Sequence, residues 1–278
     1  MKKLGGVSYM YKLVAIDMDG TLLREDKSVS DRTREAIKAA KAKGVKIVLA
    51  SGRPIEGINR YLEELDLISK GDYVLSYNGS LVLNTETKEV ISSDILSGKD
   101  IHDLYKISNE LGVNIHAFSR THGLITPKTS TYTEVEAEIN GIRINEMDFN
   151  LVNRDDEIVK IMFIDEPEIL SKAVDNLPED LYNKYTIVRS TPYFLEFLNI
   201  NSNKGTGIEA LANYLNIKKE EIICIGDADN DRHMVEYAGL GVAMENAIED
   251  IKNISQYITS SNNDDGVAEV IEKFILNI

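Results

Sequence analysis

A short, uninterrupted apolar run at residues 13–16 leads directly into two aspartates, Asp17 and Asp19, that are separated by one residue. A run this short, without polar residues at alternate positions, is typical of a strand that is buried on both faces of a parallel sheet. Two ionised carboxylates at the end of such a strand cost free energy unless an opposite charge or a metal ion lies beside them. The run therefore predicts a buried parallel strand with a charged site at its end.

The segments that follow alternate between helix and strand patterns. A helix is predicted after an N-cap at Ser30 or Asp31, and it ends before Gly44. A second apolar strand, VKIVLA, precedes the turn SGRP and a second helix, and a third strand ends in YNGS. Because strands that alternate with helices pair in parallel and are covered on both faces, the predicted fold class is α/β, with a doubly wound, Rossmann-like parallel sheet.

The middle of the chain follows a different pattern. The segment LVLNTETKEVIS predicts a β-hairpin, and a helix is predicted over residues 100–111. Strand and helix patterns without regular alternation continue to Asn199, after which the alternation resumes. The sequence therefore predicts a core domain that is interrupted by an inserted α+β cap domain. The predicted divisions are an N-terminal extension at 1–9, the first part of the core at 10–82, the cap at 83–198 and the second part of the core at 199–278.

The charge balance limits the partners. The 278 residues include 31 Lys and Arg against 46 Asp and Glu, a net charge of -15, so the chain repels phosphate backbones and anionic membrane surfaces. No apolar run approaches the roughly 20 residues of a membrane span, and no long apolar segment follows Lys2 and Lys3 as it does in a signal peptide. The single cysteine, Cys224, lies in an apolar run and is predicted to be a core residue. We expect a cytoplasmic protein, a monomer or a weak homodimer, that binds neither nucleic acid nor membranes.

Polar side chains lie at the ends of three predicted strands. Asp17, Ser51 and Asp227 each come at or just after the carboxyl end of an apolar strand, where doubly wound sheets bind their ligands. Lys204 precedes a helix at the return into the core, so its ammonium group can reach the same edge. Mg²⁺ prefers oxygen ligands such as carboxylates and a substrate phosphate. The set predicts a magnesium site at which Asp17 attacks phosphorus and Asp19 acts alternately as acid and base.

Four motifs occur in a specific order along nearly the whole chain. DMDGTLL, SGRP, NKGTG, and GDADND followed by GVAMENA resemble the motifs of the haloacid dehalogenase superfamily of phosphatases. More narrowly, they resemble its Cof-type sugar phosphatases, which carry a large α/β cap. The resemblance implies an Mg²⁺-dependent enzyme that forms an aspartyl-phosphate. The implied site consists of the nucleophile Asp17, the acid and base Asp19, the phosphate-binding residues Ser51, Gly52, Lys204 and Asn230, and the metal-binding residues Asp17, Asp19 (through its carbonyl), Asp227 and Asp231.

Four further polar residues are candidates for contacts with a substrate. Arg53 belongs to the SGRP motif and is also compatible with capping the edge of the sheet, and Asn78 lies near the predicted junction with the cap. Arg120 and Glu196 belong to the predicted cap. Asn78 is followed by a glycine and is therefore first a turn signal. The four histidines show no spacing that is typical of metal ligands, so we expect them to be surface or packing residues.

Other interpretations of the motifs remain open. The DxDG pattern also occurs in capping turns and in calcium-binding loops, although the later ligands of a calcium loop are missing. Ser51 is compatible with a turn, and Lys204 with a solvated surface. The function that uses all of the motifs is Mg²⁺-dependent hydrolysis of a small phosphate monoester, such as a sugar phosphate or a related metabolite. The alternatives are a phosphomutase acting on a sugar phosphate and a protein that binds a phosphorylated metabolite without catalysis.

Overall fold

The computed structural model describes residues 10–277, and the predicted N-terminal extension at residues 1–9 lies outside them. The chain divides into two compact units. Unit 1 consists of the described part of Met1–Gly52, Ile58–Ser93 and the described part of Asn203–Ile278, whereas unit 2 consists of Arg53–Gly57 and Asp94–Ser202. Along the sequence, unit 2 therefore interrupts unit 1.

The strands and helices are numbered along the described chain. The strands are β1 (Leu13–Asp17), β2 (Lys46–Ala50), β3 (Tyr73–Ser76), β4 (Leu81–Asn84), β5 (Val90–Ser93), β6 (Leu96–Ser97), β7 (Asn114–Ser119), β8 (Gly123–Thr126), β9 (Ile144–Glu146), β10 (Glu157–Ile164), β11 (Tyr185–Thr191), β12 (Phe194–Asn199), β13 (Ile222–Gly226), β14 (Leu240–Ala243) and β15 (Tyr257–Ile258). The α-helices are α1 (Asp31–Ala42), α2 (Ile55–Glu64), α3 (Gly98–Leu111), α4 (Thr131–Asn140), α5 (Pro167–Asp175), α6 (Lys204–Leu215), α7 (Arg232–Tyr237), α8 (Glu249–Ile254) and α9 (Gly266–Ile271), and a π-helical turn, Glu272–Leu276, follows α9.

Unit 1 is built on a sheet with the strand order β15-β14-β13-β1-β2-β3-β4-β5. Every neighbouring pair from β15 to β3 is parallel, and β4 and β5 add an antiparallel hairpin to the edge. The central strands β1 and β13 are buried along their whole length, which explains why they lack polar residues at alternate positions. The predicted α/β fold class with a doubly wound parallel sheet is confirmed.

The register of the sheet brings the three polar strand ends together. In the pairing of β1 with β2, Asp17 lies opposite Ala50, one residue before Ser51. In the pairing of β1 with β13, Ile16 lies opposite Ile225, two residues before Asp227. Because these strands are parallel, their carboxyl ends form one edge, and that edge carries the residues that the sequence analysis singled out.

Unit 2 contains a second sheet with the order β11-β12-β10-β7-β8-β9, and β6 pairs with β10. One face of this sheet packs against α3 and α5 through an apolar cluster that includes Ile161, Phe163 and Phe197. Since side chains alternate between the faces of a strand, the residues between these point to the opposite face. The mixture of antiparallel strands and helices gives unit 2 an α+β character.

The opposite face of the unit 2 sheet carries buried polar side chains. Met162 of β10 pairs with His116 of β7 on one side and with Glu196 of β12 on the other, so the three share a face. Lys160, two residues before Met162, is 2% exposed, and its Nζ lies 3.3 Å from Glu196 and 3.8 Å from Glu136 of α4. We call Lys160, Glu136 and Glu196 the Lys160 cluster. Burial raises the pKa of Glu136, and the charge of Lys160 opposes this shift.

His116 makes the stability of the folded chain dependent on pH. Burial, and then the charge of Lys160, lower the pKa of His116 from 6.5 to about 3. Between these values the unfolded chain binds a proton that the folded chain does not bind. The contribution of a neutral His116 is therefore present in full above about pH 6.5 and is lost as the pH falls towards 3.

We expect the His116→Phe variant to lose less stability on acidification than the original chain. Between pH 7 and pH 5 the original chain should lose about 2 kcal/mol more unfolding free energy than His116→Phe does, because the phenyl ring takes up no proton. Urea unfolding at the two pH values measures it. His122→Phe is the matched control, since His122 is exposed in the same unit. An equal loss in the original chain and in His116→Phe would contradict the prediction.

The structure differs from the sequence expectation in several elements. The hairpin of β4 and β5, part of which was assigned to the cap at 83–198, belongs to the unit 1 sheet, because β4 pairs with β3. The short elements β8, β9 and α8 were not predicted, since each has too few residues to show a period. α6 begins at Lys204 itself, whereas the sequence analysis placed Lys204 before the helix. Among the residues that the structure describes, none of the helices has the length and apolar character needed to cross a membrane.

Candidate active site

Three carboxylates and one ammonium group lie together at the carboxyl edge of the unit 1 sheet. Asp17, Asp227 and Asp231 each offer a carboxylate oxygen, and these oxygens all lie within 4.8 Å of one another. Nζ of Lys204 is ion-paired with Oδ1 of Asp17 and lies 2.7 Å from Oδ1 of Asp231. We call these four residues the edge cluster. The structure thus brings together residues that are up to 214 positions apart in the sequence (17 and 231).

The NKGTG motif fixes the position of Lys204. Lys204 is the first residue of α6 and is completely buried. The side chain of Asn203 accepts a hydrogen bond of 2.9 Å from the backbone N–H of Thr206 and thereby caps the helix. Glycine at position 79 lets its segment lie close to the backbone of Asn203, because a Cβ at Gly79 would lie 2.4 Å from the backbone oxygen of Asn203. A lysine at a helix N-terminus is electrostatically unfavourable, so its carboxylate partners compensate for this position as well as for its burial.

The GDADND loop is folded around the carboxylate of Asp231. Oδ2 of Asp231 accepts hydrogen bonds from the backbone N–H groups of Asp227 at 2.9 Å and of Ala228 at 3.0 Å, while its Oδ1 accepts from Lys204. Gly226 makes this turn possible, because a Cβ at that position would lie 2.5 Å from Cβ of Asp231. Asp231 is 0% exposed and thus links the loop to Lys204 inside the protein.

Asp227 faces the loop that follows β1. Its Oδ1 accepts a hydrogen bond of 2.7 Å from the hydroxyl of Thr21. Gly20 has a φ of +88°, and a Cβ at this position would lie 2.3 Å from Oδ2 of Asp227. Only glycine therefore fits at position 20, both for its backbone conformation and for the space beside the Asp227 carboxylate.

Burial and charge together disfavour ionisation of the carboxylates in the edge cluster. The pKa of Asp17 is raised well above its ordinary value by burial and by the negative charges of Asp231 and Asp227, and Lys204 only partly offsets this. Burial also raises the pKa of Asp227. Burial lowers the pKa of Lys204, but Asp17 and Asp231 raise it more, so the lysine stays charged. One ammonium group against three carboxylates leaves an excess of negative charge that a bound cation would neutralise.

The donor set of the edge cluster fits a hard divalent cation. All three side chains that converge are carboxylates, and hard cations of this kind bind oxygen ligands. Both oxygens of Asp231 already accept hydrogen bonds from backbone N–H groups or from Lys204, so Asp17 and Asp227 are the residues best able to supply direct ligands.

The carboxylate of Asp19 lies outside this three-carboxylate group. Its Oδ1 is 2.9 Å from Nζ of Lys27, and the two side chains are 42% and 52% exposed. Asp19 therefore has the access to solvent that a residue exchanging protons with a leaving group and with water requires. The expectation that its carbonyl oxygen binds a metal stays a prediction.

The other predicted phosphate-binding residues, Ser51, Gly52 and Asn230, form a second group at the same edge together with Asn78, a candidate for a substrate contact. Ser51 is 2% exposed, and its backbone oxygen accepts a hydrogen bond of 2.9 Å from the N–H of Asn78. The side chain of Asn78 lies against Gly52, where a Cβ would approach its amide nitrogen to 3.1 Å. Asn230 donates a hydrogen bond of 3.0 Å to Oδ1 of Asn78. These contacts connect the SGRP, YNGS and GDADND motifs, and the binding roles of the four residues stay predictions.

The remaining candidates for substrate contacts lie in unit 2. Arg53 donates a long hydrogen bond of 3.5 Å to the backbone oxygen of Gly57. Arg120 is ion-paired with Glu157 at 2.8 Å on the surface of the unit. Glu196 belongs to the buried Lys160 cluster and is 5% exposed. The structure therefore does not bring Arg120 and Glu196 into one group within unit 2, and their roles stay predictions.

Two residues that shape the site were missed by the sequence analysis. Asn203 could have been found, because an asparagine just before a predicted helix is an N-cap signal. Lys27 could not, because its contact with Asp19 spans eight residues of an irregular loop with no periodic pattern.

Comparisons with known proteins show the family to which the chain belongs. The sequence profile of the haloacid dehalogenase-like hydrolases matches residues 14–271. The Bacillus subtilis protein named "Putative phosphatase YxeH" is 46% identical over 269 residues, which cover 96% of this chain and 99% of that protein. A crystal structure of a haloacid dehalogenase-like hydrolase from Bacteroides thetaiotaomicron is similar, with a TM-score of 0.85 and 34% identity, and the match covers 95% of this chain and 99% of that one.

A second solved structure is described as a sugar phosphatase of subclass IIB in the same superfamily. It has a TM-score of 0.77 and 26% identity, and the match covers 95% of this chain and 98% of its own. The profile match includes all four residues of the edge cluster and all four motifs. The predicted superfamily and the prediction of an enzyme are confirmed. This chain belongs to the haloacid dehalogenase-like hydrolases.

Proposed function

We propose that this protein hydrolyses small phosphate monoesters through an aspartyl-phosphate on Asp17, with Mg²⁺ as the cofactor. The observation that carries the proposal is the edge cluster, in which a buried carboxylate at a strand end is paired with a buried lysine and lies beside two further carboxylates. A nucleophilic carboxylate must be ionised, yet burial and its acidic neighbours raise the pKa of Asp17. Lys204 and a cation together favour the ionised form.

The reaction has two displacements. A carboxylate oxygen of Asp17 attacks phosphorus, the bond from phosphorus to the ester oxygen breaks, and the leaving oxygen keeps the electron pair and takes a proton from Asp19. Asp19, now a carboxylate, then removes a proton from a water molecule that attacks the phosphorus of the aspartyl-phosphate. The bond to Asp17 breaks and inorganic phosphate is released. Mg²⁺, when bound by Asp17 and Asp227, supplies positive charge that offsets the charge of the phosphoryl oxygens.

Lys204 and the second group of polar residues complete the proposed phosphate site. The ammonium group of Lys204, which already contacts Asp17, offsets the negative charge that develops on the transferred phosphoryl group. The Ser51 hydroxyl, the Gly52 backbone and the Asn230 amide are the proposed donors to the other phosphoryl oxygens. Asn78 would hold Asn230 through their 3.0 Å hydrogen bond.

A small phosphorylated metabolite, and in particular a sugar phosphate, is the proposed substrate. Support comes from the similar solved structure that is described as a sugar phosphatase, and from the net charge of -15, which disfavours polyanionic partners such as nucleic acids. The single cysteine, Cys224, is buried and forms no internal disulfide, which supports a reducing, cytoplasmic location.

A screen of phosphorylated metabolites tests the proposed function. Each compound is incubated with the protein and Mg²⁺, and inorganic phosphate is measured alongside the organic product. We expect phosphate release together with the dephosphorylated product. Formation of a phosphorylated isomer without phosphate release would identify a phosphomutase instead, and binding without either product would identify a non-catalytic protein.

Removal of metal should abolish the activity. We expect EDTA to stop phosphate release and added Mg²⁺ to restore it, because the edge cluster lacks sufficient positive charge without a cation. In Asp227→Asn the Mg²⁺ concentration for half-maximal activity should rise about tenfold or more, since one proposed ligand loses its charge.

Asp229→Asn is the matched control for this experiment. It lies in the same loop, but its side chain is 81% exposed and is paired with Arg232. Its Mg²⁺ requirement should equal that of the original chain. Full activity in a metal-free sample, or equal Mg²⁺ requirements in the two variants, would contradict the proposed role of Asp227.

A further inference from the structure

The asparagine of the GVAMENA motif contacts the loop that carries Asp19. Nδ2 of Asn246 donates a hydrogen bond of 2.8 Å to the backbone oxygen of Gly20, and Oδ1 of Asn246 accepts one of 3.0 Å from the N–H of Asn262. The side-chain amide therefore joins three segments of unit 1 that are far apart in the sequence. None of the roles described above uses this residue.

Gly20 is the point at which the loop after β1 most needs an external restraint. It has a φ of +88°, and glycine leaves more backbone conformations open than any other residue. It lies directly between Asp19, the proposed acid and base, and Thr21, whose hydroxyl bonds to Asp227. A rotation of the peptide that follows Gly20 would displace both neighbours. The hydrogen bond from Asn246 holds the oxygen of that peptide.

The segment that presents Asn246 is itself well fixed. It follows β14, and the N–H of Met244 bonds to the oxygen of Gly226 at 3.1 Å, while the N–H of Ala247 bonds to the oxygen of Met244 at 3.0 Å. Asn262, the partner of Asn246, also donates a hydrogen bond of 2.8 Å from its own side chain to the oxygen of Leu23. The side chains of Asn246 and Asn262 thus hold the loop at the carbonyl oxygens of two residues, Gly20 and Leu23.

We propose that Asn246 is a positioning residue that holds the loop of Asp19 in its reactive geometry through the Gly20 carbonyl. This inference rests on the proposed function, since it assigns a role in the proton transfer to the leaving oxygen. Proton transfer requires a donor within hydrogen-bonding distance of that oxygen, so a small displacement of Asp19 is costly. A leaving group that departs readily without a proton should be affected far less.

The test combines Asn246→Ala and Asn246→Asp with the control Asn263→Ala. Asn246→Asp keeps an acceptor for the N–H of Asn262 but cannot donate to the oxygen of Gly20, so this variant isolates the donor function. Asn263 follows Asn262, the partner of Asn246, and its side chain accepts a hydrogen bond of 3.2 Å from the backbone N–H of Glu25, beyond the part of the loop that carries Asp19. All three are surface substitutions, so their thermal unfolding should remain close to that of the original chain.

Two measurements decide the result. The first is amide hydrogen exchange in the peptide covering residues 17–24, where the N–H groups of Leu22 and Leu23 bond to the oxygens of Asp17 and Met18. Exchange should be faster in both Asn246 variants and unchanged in Asn263→Ala. The second is kcat/KM, which reports on the first displacement. With an alkyl phosphate it should fall by about 10- to 100-fold in the Asn246 variants, and with p-nitrophenyl phosphate by about threefold or less.

The outcomes separate this inference from the proposed function. Unchanged exchange in Asn246→Ala would overturn the inference whether or not any ester is hydrolysed. Equal losses with the alkyl and aryl esters would overturn the role in positioning Asp19, and so would an Asn246→Asp variant that behaves as the original chain. An original chain that hydrolyses no ester would contradict the proposed function, and the exchange measurement would then decide on the anchoring of the loop by itself.

Discussion

The Asp17→Asn variant is expected to lose phosphate release by about 10⁴-fold or more, and to form no covalent phosphate adduct. The amide has nearly the shape of the carboxylate but is not an anionic nucleophile. Its fold should be retained, because the substitution removes one of three clustered, mutually repelling carboxylates and leaves Lys204 paired with Asp231. A large loss of activity without a loss of stability is therefore the expected signature.

Acid quench followed by peptide mass analysis measures the adduct directly. In the original chain we expect added phosphate on the peptide that contains DMDGTLL. Asp19→Asn is the matched control, since it changes a carboxylate two residues further along the chain that is exposed and paired with Lys27. That variant keeps the nucleophile and loses the proton shuttle, so with a good leaving group it should accumulate the phosphorylated peptide. Phosphate on Ser51 would identify Ser51 as the nucleophile instead of Asp17. Near-normal turnover in Asp17→Asn without any phosphorylated peptide would favour direct attack by a metal-activated water.

The strand ends that carry the site were predictable because the strands themselves are short apolar runs. A strand buried on both faces, such as β1 or β13, has no room for polar residues except at its end, so Asp17 and Asp227 stand out in the sequence. The order of parallel strands then brings these ends to one edge. The start of α6 was also predictable, because Asn203 is an N-cap signal, although the sequence analysis did not use it and placed Lys204 before the helix.

The pairing of side chains across the fold was not predictable. Whether the ammonium group of Lys204 meets Asp17, Asp231 or solvent depends on the close approach of Gly79 to Asn203 and on the turn at Gly226, neither of which the local pattern determines. Glu196 occupies an ordinary strand position in the sequence, yet it lies 3.3 Å from Lys160 in a buried cluster. Sequence periodicity reports which face a side chain occupies, but not its partner on that face.

The Lys204→Met variant tests how much of the stability of unit 1 depends on charge compensation in the edge cluster. We expect it to lose phosphate release and about 3–5 kcal/mol of unfolding free energy, because removal of one partner leaves buried carboxylates without an opposite charge. Asp17 already has a raised pKa, and without Lys204 its carboxylate is disfavoured further. In the folded variant Asp17 therefore binds a proton more readily than in the unfolded chain, so the loss should be larger at pH 8 than at pH 5.

Mg²⁺ distinguishes this explanation from a simple packing defect. If the missing quantity is positive charge, a cation bound by Asp17 and Asp227 supplies part of it, and Mg²⁺ should raise the urea midpoint of Lys204→Met more than that of the original chain. Lys160→Met is the matched control, since it too removes a buried lysine from between two carboxylates. The Lys160 cluster should not bind the cation, because among the described residues the only three-carboxylate group that could hold a metal is the one at Asp17. The urea midpoint of Lys160→Met should fall, and Mg²⁺ should raise it no more than it raises the midpoint of the original chain. Equal responses in the two lysine variants would show that the carboxylates at the sheet edge do not bind the cation, and the metal-binding role of the edge cluster would then be wrong.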